Sequence, residues 1–342
     1  MKDFLYNFSG LYGLIPIKLY IRLTKQYLIC PFYHAVSDIA PEHLKYLYPV
    51  RNTRQFEKDL DFLTKHFNPV DYSFLTDALH HGKTIRQKSF LLTFDDGLRE
   101  FHDVIAPVLI RKGIPATCFI NSSFTDNQDM FFRFKASIIV NRIKNTGIAT
   151  TFKITEILNN HFKNRVSQKR LQEIILSIGY GHKQLLDEIA AILEIDFKNY
   201  LQQHKPYLTK EQINSLMIQG FTFGAHSTDH PKYMNLSLTQ QVDNTRKCIE
   251  YINSNFRQPV NMFSFPFTDF GVDKRFFDAI SKDENGHVDL SFGCAGLKKD
   301  TCHFNFQRIP MEIKNFKAGN IISTEYLYYI MKSILNKNII YR

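Results

Sequence analysis

Long apolar runs are the first thing missing. The most extended, Leu11 to Ile17, is broken by Gly13 and Pro16 and followed by Lys18, well short of the roughly 18 apolar residues a membrane-spanning helix needs. No small-residue cleavage site comes after it, which argues against a secretory signal. Five cysteines are scattered through the chain without a C-x-x-C pair. An odd, widely spaced set argues for reduced thiols in a cytoplasmic protein and against a disulfide framework. Cys30 and Cys118 sit in apolar strand-like runs and are expected simply to pack. Zinc-finger spacings, RNP-type runs and basic-helix blocks are absent too, so no nucleic-acid partner is expected. No G-x-G-x-x-G follows the first predicted strand, and no internal repeat or low-complexity tract stands out.

What the chain does have is apolar bulk and positive charge. Apolar residues make up 44% and charged ones 22%, ample for a packed core. At 342 residues there is room for one large α/β barrel or two modest domains. Basic residues outnumber acids to leave a net charge of +10. Such a surplus suits an anionic partner (phosphate, acidic glycan or anionic lipid) or a plain solvated basic surface. Near the start, Lys2, Lys18, Arg22 and Lys25 alternate with Phe, Tyr, Leu and Ile. That mixture reads as an amphipathic segment, lying on a membrane surface or packed on the protein's own core.

Short runs rich in β-branched and aromatic residues read as buried strands. They are Tyr27–Tyr33, Phe90–Phe94, Ala116–Asn121, Phe221–His226, Asn261–Phe265, Asp289–Gly293 and Asn305–Ile309. Helical patterns lie between most of them. Thr53–Phe67 carries Phe56, Leu60, Leu63 and Phe67 at helical spacing. Leu98–Lys112 stops at Gly113, and Pro107 inside it predicts a kink. Leu236–Phe256 opens with Ser237 as an N-cap. Strand and helix in alternation imply a parallel sheet, and this number of strands favours a barrel over an open doubly wound sheet.

The gap between the third and fourth strands holds further helical patterns, at Lys169–Ile178, Gln184–Leu193 and Thr209–Met217. An excursion too long for a loop carries its own structure. The expected layout is an amphipathic segment over 1–26, a barrel over 27–129 and 220–320, a helical insertion over 130–219 crowning its mouth, and a C-terminal helix over 321–342.

The chemistry concentrates at two predicted strand ends. Phe90-Leu-Leu-Thr-Phe-Asp95-Asp96-Gly97 runs a strand into adjacent carboxylates. Mid-strand neighbours point to opposite faces, but Gly97 frees the backbone to aim both at one site. Two carboxylates so close repel, and one must be neutralised by a proton or a cation. One Asp capping the following helix is the blander reading, and it leaves the other unexplained. The second stretch is Thr222-Phe-Gly-Ala-His226-Ser-Thr-Asp-His230-Pro231. Pro231 disfavours the α region for His230, so a turn is expected there. Two histidines, a carboxylate and an open position constitute a catalytic Zn²⁺ site. In a parallel barrel the ends of the strands share one face, where reactive groups gather. One aspartate would then join the metal, while the other takes a proton from metal-bound water whose pKa falls to roughly 7.

With these residues in place, the chain resembles the polysaccharide deacetylase family, also called carbohydrate esterase family 4. Thr93-Phe94-Asp95-Asp96-Gly97 is similar to its first motif, His226-Ser227-Thr228-Asp229-His230 to its second, and Ser264-Phe265-Pro266-Phe267 in part to its third. The resemblance implies a distorted (β/α) barrel of about seven parallel strands. It implies hydrolysis of the N-acetyl amide on an amino-sugar unit, using a divalent metal, usually zinc. It assigns Asp95 as base, Asp96, His226 and His230 as metal ligands, and the Phe267 backbone N–H to the oxyanion hole. Ser264 stands where the family usually has an arginine that orients the base; Arg308 or Arg133 is the expected substitute. The family's C-terminal Leu-x-His is absent, which leaves Asp269 and His303 as candidates for the general acid. Tyr33-His34 resembles a pair found in some relatives, and His34, Arg133 and Pro266 are expected to contact substrate.

The substrate would be an N-acetylated amino-sugar glycan, polymeric, oligomeric or lipid-linked, in surface-polysaccharide metabolism. With no export signal and a basic aromatic N-terminus, the expected location is cytoplasmic, at the inner face of the membrane. Three competitors differ in what they require. A non-catalytic glycan-binding barrel does not need all four of Asp95, Asp96, His226 and His230. A glycosidase has no use for the histidine pair. A membrane-peripheral scaffold would depend only on the N-terminal residues.

Overall fold

The computed structural model describes residues 2–163, 167–282, 286–314 and 316–342. Eight short parallel strands make one sheet: β1 (Pro31–Tyr33), β2 (Leu92–Phe94), β3 (Ala116–Ile120), β4 (Thr222–Ala225), β5 (Met262–Ser264), β6 (Leu290–Gly293), β7 (Asn305–Gln307) and β8 (Ile309–Pro310). Their order is β7-β6-β5-β4-β3-β2-β1-β8. The two edges, β7 and β8, are one stretch of chain interrupted at Arg308. The Arg308 N–H donates to Gly293 O at 3.1 Å and the Ile309 N–H to Cys30 O at 2.8 Å, so the sheet curls round until its last segment touches both sides. The (β/α) barrel expected from the sequence is thus closed at this seam, which also removes the exposed edges of an open sheet.

Every predicted run supplies a strand, but three of them are divided, Asn305–Ile309 at Arg308 and two others nearer the start of the chain. Leu28–Ile29 and Ser89–Phe90 leave the barrel and pair with each other, and Ser89–Phe90 pairs on its other side with Asn68–Pro69, in a small separate sheet. Asn68–Pro69 escaped notice because two residues carry no periodicity. The strands are buried on both faces, β3 at every position, as befits a parallel sheet covered by helices.

The surrounding helices follow local sequence signals. Thr53–His66 is closed by a capping box between Asn52 and Gln55, and Leu238–Asn255 by one between Ser237 and Gln240. Each satisfies two otherwise orphaned backbone donors. The kink expected at Pro107 takes the form of one wide π turn over Phe101–Ile105, leading into Ala106–Lys112. The Ala106 N–H reaches back to Phe101 O, so the ladder has already slipped before the residue that lacks a donor.

Among the described residues, six α-helices fill the stretch between β3 and β4: Phe132–Ile143, Ile148–Phe162, Leu171–Ser177, Gln184–Ile192, Phe197–His204 and Lys210–Ile218. Phe134, Ile139, Leu158, Ile175 and Leu186 form an apolar cluster there, joined by Ala35, Leu44 and Leu98 from the barrel loops. Backbone bonds from Leu208 N–H to Gly97 O at 2.9 Å and from Arg99 N–H to Pro206 O at 2.9 Å tie it to the turn after β2.

The expected helix over 321–342 needs correcting. It runs over Ala318–Ser333, and Ile339–Ile340 then pair with Lys299–Asp300. Asn336 takes a left-handed φ of 51°, a conformation in which asparagine commonly stops a helix. Residues Lys2–Asn7, Ser9–Tyr12 and Ile17–Thr24 are helical and pack on this C-terminal helix. Tyr6, Ile17, Tyr20 and Ile21 are buried there. All five cysteines are free thiols. Among the described residues no helix is long and apolar enough to cross a membrane.

Candidate active site

The site is built from strand ends whose backbone is bent into unusual shapes. Asp96, Ser227, His230 and Phe267 all have positive φ, at 72°, 73°, 62° and 59°, although none is glycine. Non-glycine residues in this region each cost energy and persist only where their surroundings impose them, typically at functional sites. Gly97 follows Asp96 with a φ of 60°, and a Cβ there would meet Ile120 Cγ2 at 2.8 Å. The Asp95 N–H still bonds Tyr33 O at 3.0 Å, and the two successive left-handed residues after it turn Asp96 out of the pleat. Directly after β4, the His226 N–H still bonds Ile120 O at 2.8 Å. Beyond it, the Ser227 hydroxyl accepts the His230 N–H at 3.0 Å, and the Asn121 amide donates to His226 O at 2.5 Å. His230 therefore sits in a turn, as Pro231 implied.

These turns bring three side chains together. His230 Nε2 lies 3.2 Å from Asp96 Oδ1, and His226 Nε2 lies 3.6 Å from the same oxygen. Donors on a tetrahedral ion with bonds of roughly 2.0–2.1 Å stand about 3.3 Å apart. Asp96 Oδ1 is buried without a hydrogen-bond partner, an expensive state that a cation would relieve. His226 Nδ1 donates to Ser264 O at 2.9 Å, leaving Nε2 as the bare donor atom, in the manner of metal-ligating histidines. Burial is the main influence on the His226 ring and, against the pull of Asp95, holds its pKa down to about 4. The residues present fit a small divalent cation.

Asp95, next in the chain, is arranged in the opposite way. Arg308 Nη1 donates to its Oδ1 at 2.7 Å and Nη2 to its Oδ2 at 2.7 Å. Arg308 also bonds the Ser264 hydroxyl at 2.6 Å, and its guanidinium lies 4.4 Å from the Phe32 ring centre. Of the two arginines expected to stand in at this place, Arg308 is the one that reaches Asp95, from the barrel seam. Burial pushes the Asp95 carboxyl up, but Arg308 and then His226 outweigh it, and its pKa falls below the ordinary range.

The cleft over these residues has a volume of about 260 Å³ and is also lined by His34, Tyr48, Phe131, Arg133, Phe267 and Cys294. His34 Nδ1 lies 2.5 Å from Glu312 Oε2, and the ring stacks on Tyr48 with centres 4.6 Å apart. Glu312 Oε1 also accepts the backbone N–H groups of His34 and Ala35, each at 3.0 Å. Burial disfavours the imidazolium, but Glu312 more than compensates, and His34 is pushed up to about 9. Arg133 donates to Leu176 O at 2.5 Å and has no carboxylate partner among the described residues.

Three expected site residues lie elsewhere. Asp269 is buried behind the cleft, held by Arg342, by Gln307 at 2.6 Å and by the Cys294 N–H at 3.3 Å. Both of its oxygens accept hydrogen bonds, and Arg342 holds it ionised against the upward push of burial, so it has no proton to offer a substrate. Pro266 shapes the turn before Phe267 but does not line the cleft. His303 lines a separate depression with Thr76, His80 and Lys282. Glu312, Tyr48 and Phe131 were missed. Glu312 had no motif or spacing to announce it.

A closed parallel barrel with an aspartate and two histidines converging at its strand ends, beside a second aspartate under an arginine, defines a hydrolase of the α/β-barrel class. The polysaccharide deacetylase family matches residues 82–282, more than half of the chain, and the chain belongs to it. It is accordingly a hydrolase acting on carbon–nitrogen bonds in carbohydrate metabolism. Among solved structures, the fold is shared with the Streptococcus pyogenes deacetylase PplD in complex with acetate. The identity is 14%, with 87% of this chain and 97% of that one covered at a TM-score of 0.53. IcaB from Ammonifex degensii aligns at 15% identity over 87% and 97% of the two chains, with a TM-score of 0.52. BC0361, a polysaccharide deacetylase from Bacillus cereus, aligns at 11% identity over 88% and 69%, also at 0.52. No curated protein matches the chain.

Proposed function

We propose that the protein removes the acetyl group from an N-acetylated amino sugar with the help of a divalent cation, zinc by preference, held by Asp96, His226 and His230. The observation that carries this reading is the unlike treatment of two adjacent aspartates, one turned to the histidines and one clamped by Arg308. A cation bound there would acidify water and polarise the acetyl carbonyl.

Asp95 accepts the proton of the water that attacks the carbonyl carbon. Arg308 keeps it ionised and aimed, at some loss of basicity. The Phe267 backbone N–H, presented by the left-handed turn, is suited to the oxyanion that develops. His34 holds a proton through Glu312 and passes it to the departing nitrogen as the carbon–nitrogen bond breaks. Acetate leaves, the sugar keeps a free amine, and the proton gained by Asp95 returns to solvent or to His34. Arg133 offers the cleft a cation for an anionic substituent on the saccharide, such as a phosphate.

Zinc-loaded protein incubated with acetamido sugars, free and lipid-linked, should release acetate and leave products lighter by the exchange of acetyl for hydrogen. Chelator should abolish this and zinc restore it. Turnover indifferent to chelator would sink the proposal.

A further inference from the structure

The N-terminal helices do more than cover the barrel flank. Their inner side chains, Tyr6, Ile17, Tyr20 and Ile21, are buried against the C-terminal helix. Tyr12 OH bonds the Thr324 hydroxyl at 2.9 Å, and Asn320 donates to Ser9 Oγ at 3.1 Å. Outward, the same segments show Phe4 at 63% exposure, Leu14 at 82%, Leu19 at 45% and Leu23 at 64%. Phe8 and Ile15 are exposed as well. Leu19 and Leu23 are four apart on one helix, so they share a stripe. Lys18, Arg22 and Lys25 beside them are exposed, and no aspartate or glutamate occurs anywhere between Phe4 and Ser37. A soluble surface ordinarily mixes both signs and breaks up its apolar groups. Large apolar side chains interleaved with cations alone are the complement of an anionic lipid surface, where the former enter the acyl boundary and the latter meet headgroups.

The position of this face relates it to the cleft. Gly13 and Leu14 line a depression with Asp59 and Ala318. Asp59 accepts from the Tyr33 hydroxyl at 3.2 Å and from the Ala318 N–H at 2.9 Å. Tyr33 ends β1 and is followed directly by His34 of the cleft. Leu14 is thus connected, through Asp59 and Tyr33, to the strand that leads into His34 of the cleft.

We infer that this face, Phe4, Phe8, Leu14, Ile15, Leu19 and Leu23 with Lys18, Arg22 and Lys25, docks on an anionic phospholipid bilayer and brings the cleft to saccharides carried on lipids there. The substrate half of the inference rests on the proposed hydrolysis; the docking half does not.

The experiment is cosedimentation of the full chain with vesicles of phosphatidylcholine mixed with phosphatidylglycerol, against vesicles of phosphatidylcholine alone. The mixed vesicles should capture the protein and high salt should release it. Replacing the three cations, Lys18→Gln with Arg22→Gln and Lys25→Gln, should weaken capture about a hundredfold, near fivefold per charge. Leu19→Glu with Leu23→Glu, both at exposed positions, should abolish it. That variant should keep the wild-type melting temperature and turn over a water-soluble acetamido sugar normally, yet lose activity on a substrate embedded in vesicles. Equal capture by both vesicle types, capture that survives Leu19→Glu with Leu23→Glu, or a concentration-dependent dimer in place of vesicle binding would overturn the inference. Vesicle capture without any turnover would instead overturn the hydrolase reading and leave the docking standing.

Discussion

Asp95 and Asp96 are neighbours in sequence, are both buried, and live in opposite electrostatic worlds. Asp95 has both oxygens matched to a planar guanidinium. Asp96 has an oxygen with no hydrogen-bond partner, facing two imidazole nitrogens. A fixed internal cation suits a group that must stay ionised and stay put. An oxygen without a partner in the protein suits a group whose counter-charge arrives from solution. The contrast extends to their surroundings. Asp95 is held by hydrogen bonds from Arg308, itself on the barrel seam, whereas His230 is held by packing between Phe131 and Phe267, whose ring centres lie 4.2 and 4.6 Å away.

The largest effect should come from exchanging what each side supplies. Asp95→Asn should lower kcat by about 10²–10⁴-fold, the range of a lost general base, with zinc affinity nearly intact. His230→Ala should lower zinc affinity as well as rate, because it removes a donor. Calorimetric titration of zinc into both variants decides the matter: equal loss of affinity would mean that the two aspartates have been given each other's roles.

Arg308 is next. Arg308→Met leaves Asp95 buried without its cation, which typically costs about 3–5 kcal/mol. The melting temperature should fall accordingly. Asp95 should then titrate higher, since burial alone raises it, and the acid limb of the pH–rate profile should move to higher pH. The double variant Arg308→Met with Asp95→Asn should recover part of the stability and none of the rate. An additive loss in the double variant would show that Arg308 serves the seam of the barrel and not Asp95.

The two sides of the site were not equally legible in the sequence. Asp96, His226 and His230 lie in short local motifs, where Gly97 and Pro231 betray the turns, so their meeting could be anticipated. Arg308 was within reach because it closes the last predicted strand, yet nothing in the sequence shows that the strand splits there to seal the barrel. Glu312 was out of reach: it is an ordinary carboxylate in a loop, made significant by folding beside a histidine from the first strand. Asp269 misled for the converse reason. It follows the Phe267 turn closely, but Arg342, from the far end of the chain, turns it inward. Local chemistry survives in sequence, whereas pairings across the barrel depend on the closure itself.

The smallest effect, and the one that sharpens the contrast most, concerns Glu312. His34 is raised to about 9 from an ordinary value near 6.5, so its ion pair stabilises the fold fully below about 6.5 and loses that contribution as pH climbs through about 9. Proton donation by His34 should fade over the same upper range, giving the rate an alkaline limb. In Glu312→Gln the chief raising influence is gone and burial prevails, so the limb should shift to lower pH while the acid limb set by Asp95 stays in place. Asp95, Asp96 and Tyr48 also face the ring, and a bound cation opposes them. The two proteins should therefore be compared at equal zinc loading. A pH–rate profile in which both limbs move together would deny His34 a proton-transfer role and leave Glu312 as a support for the turn after β1.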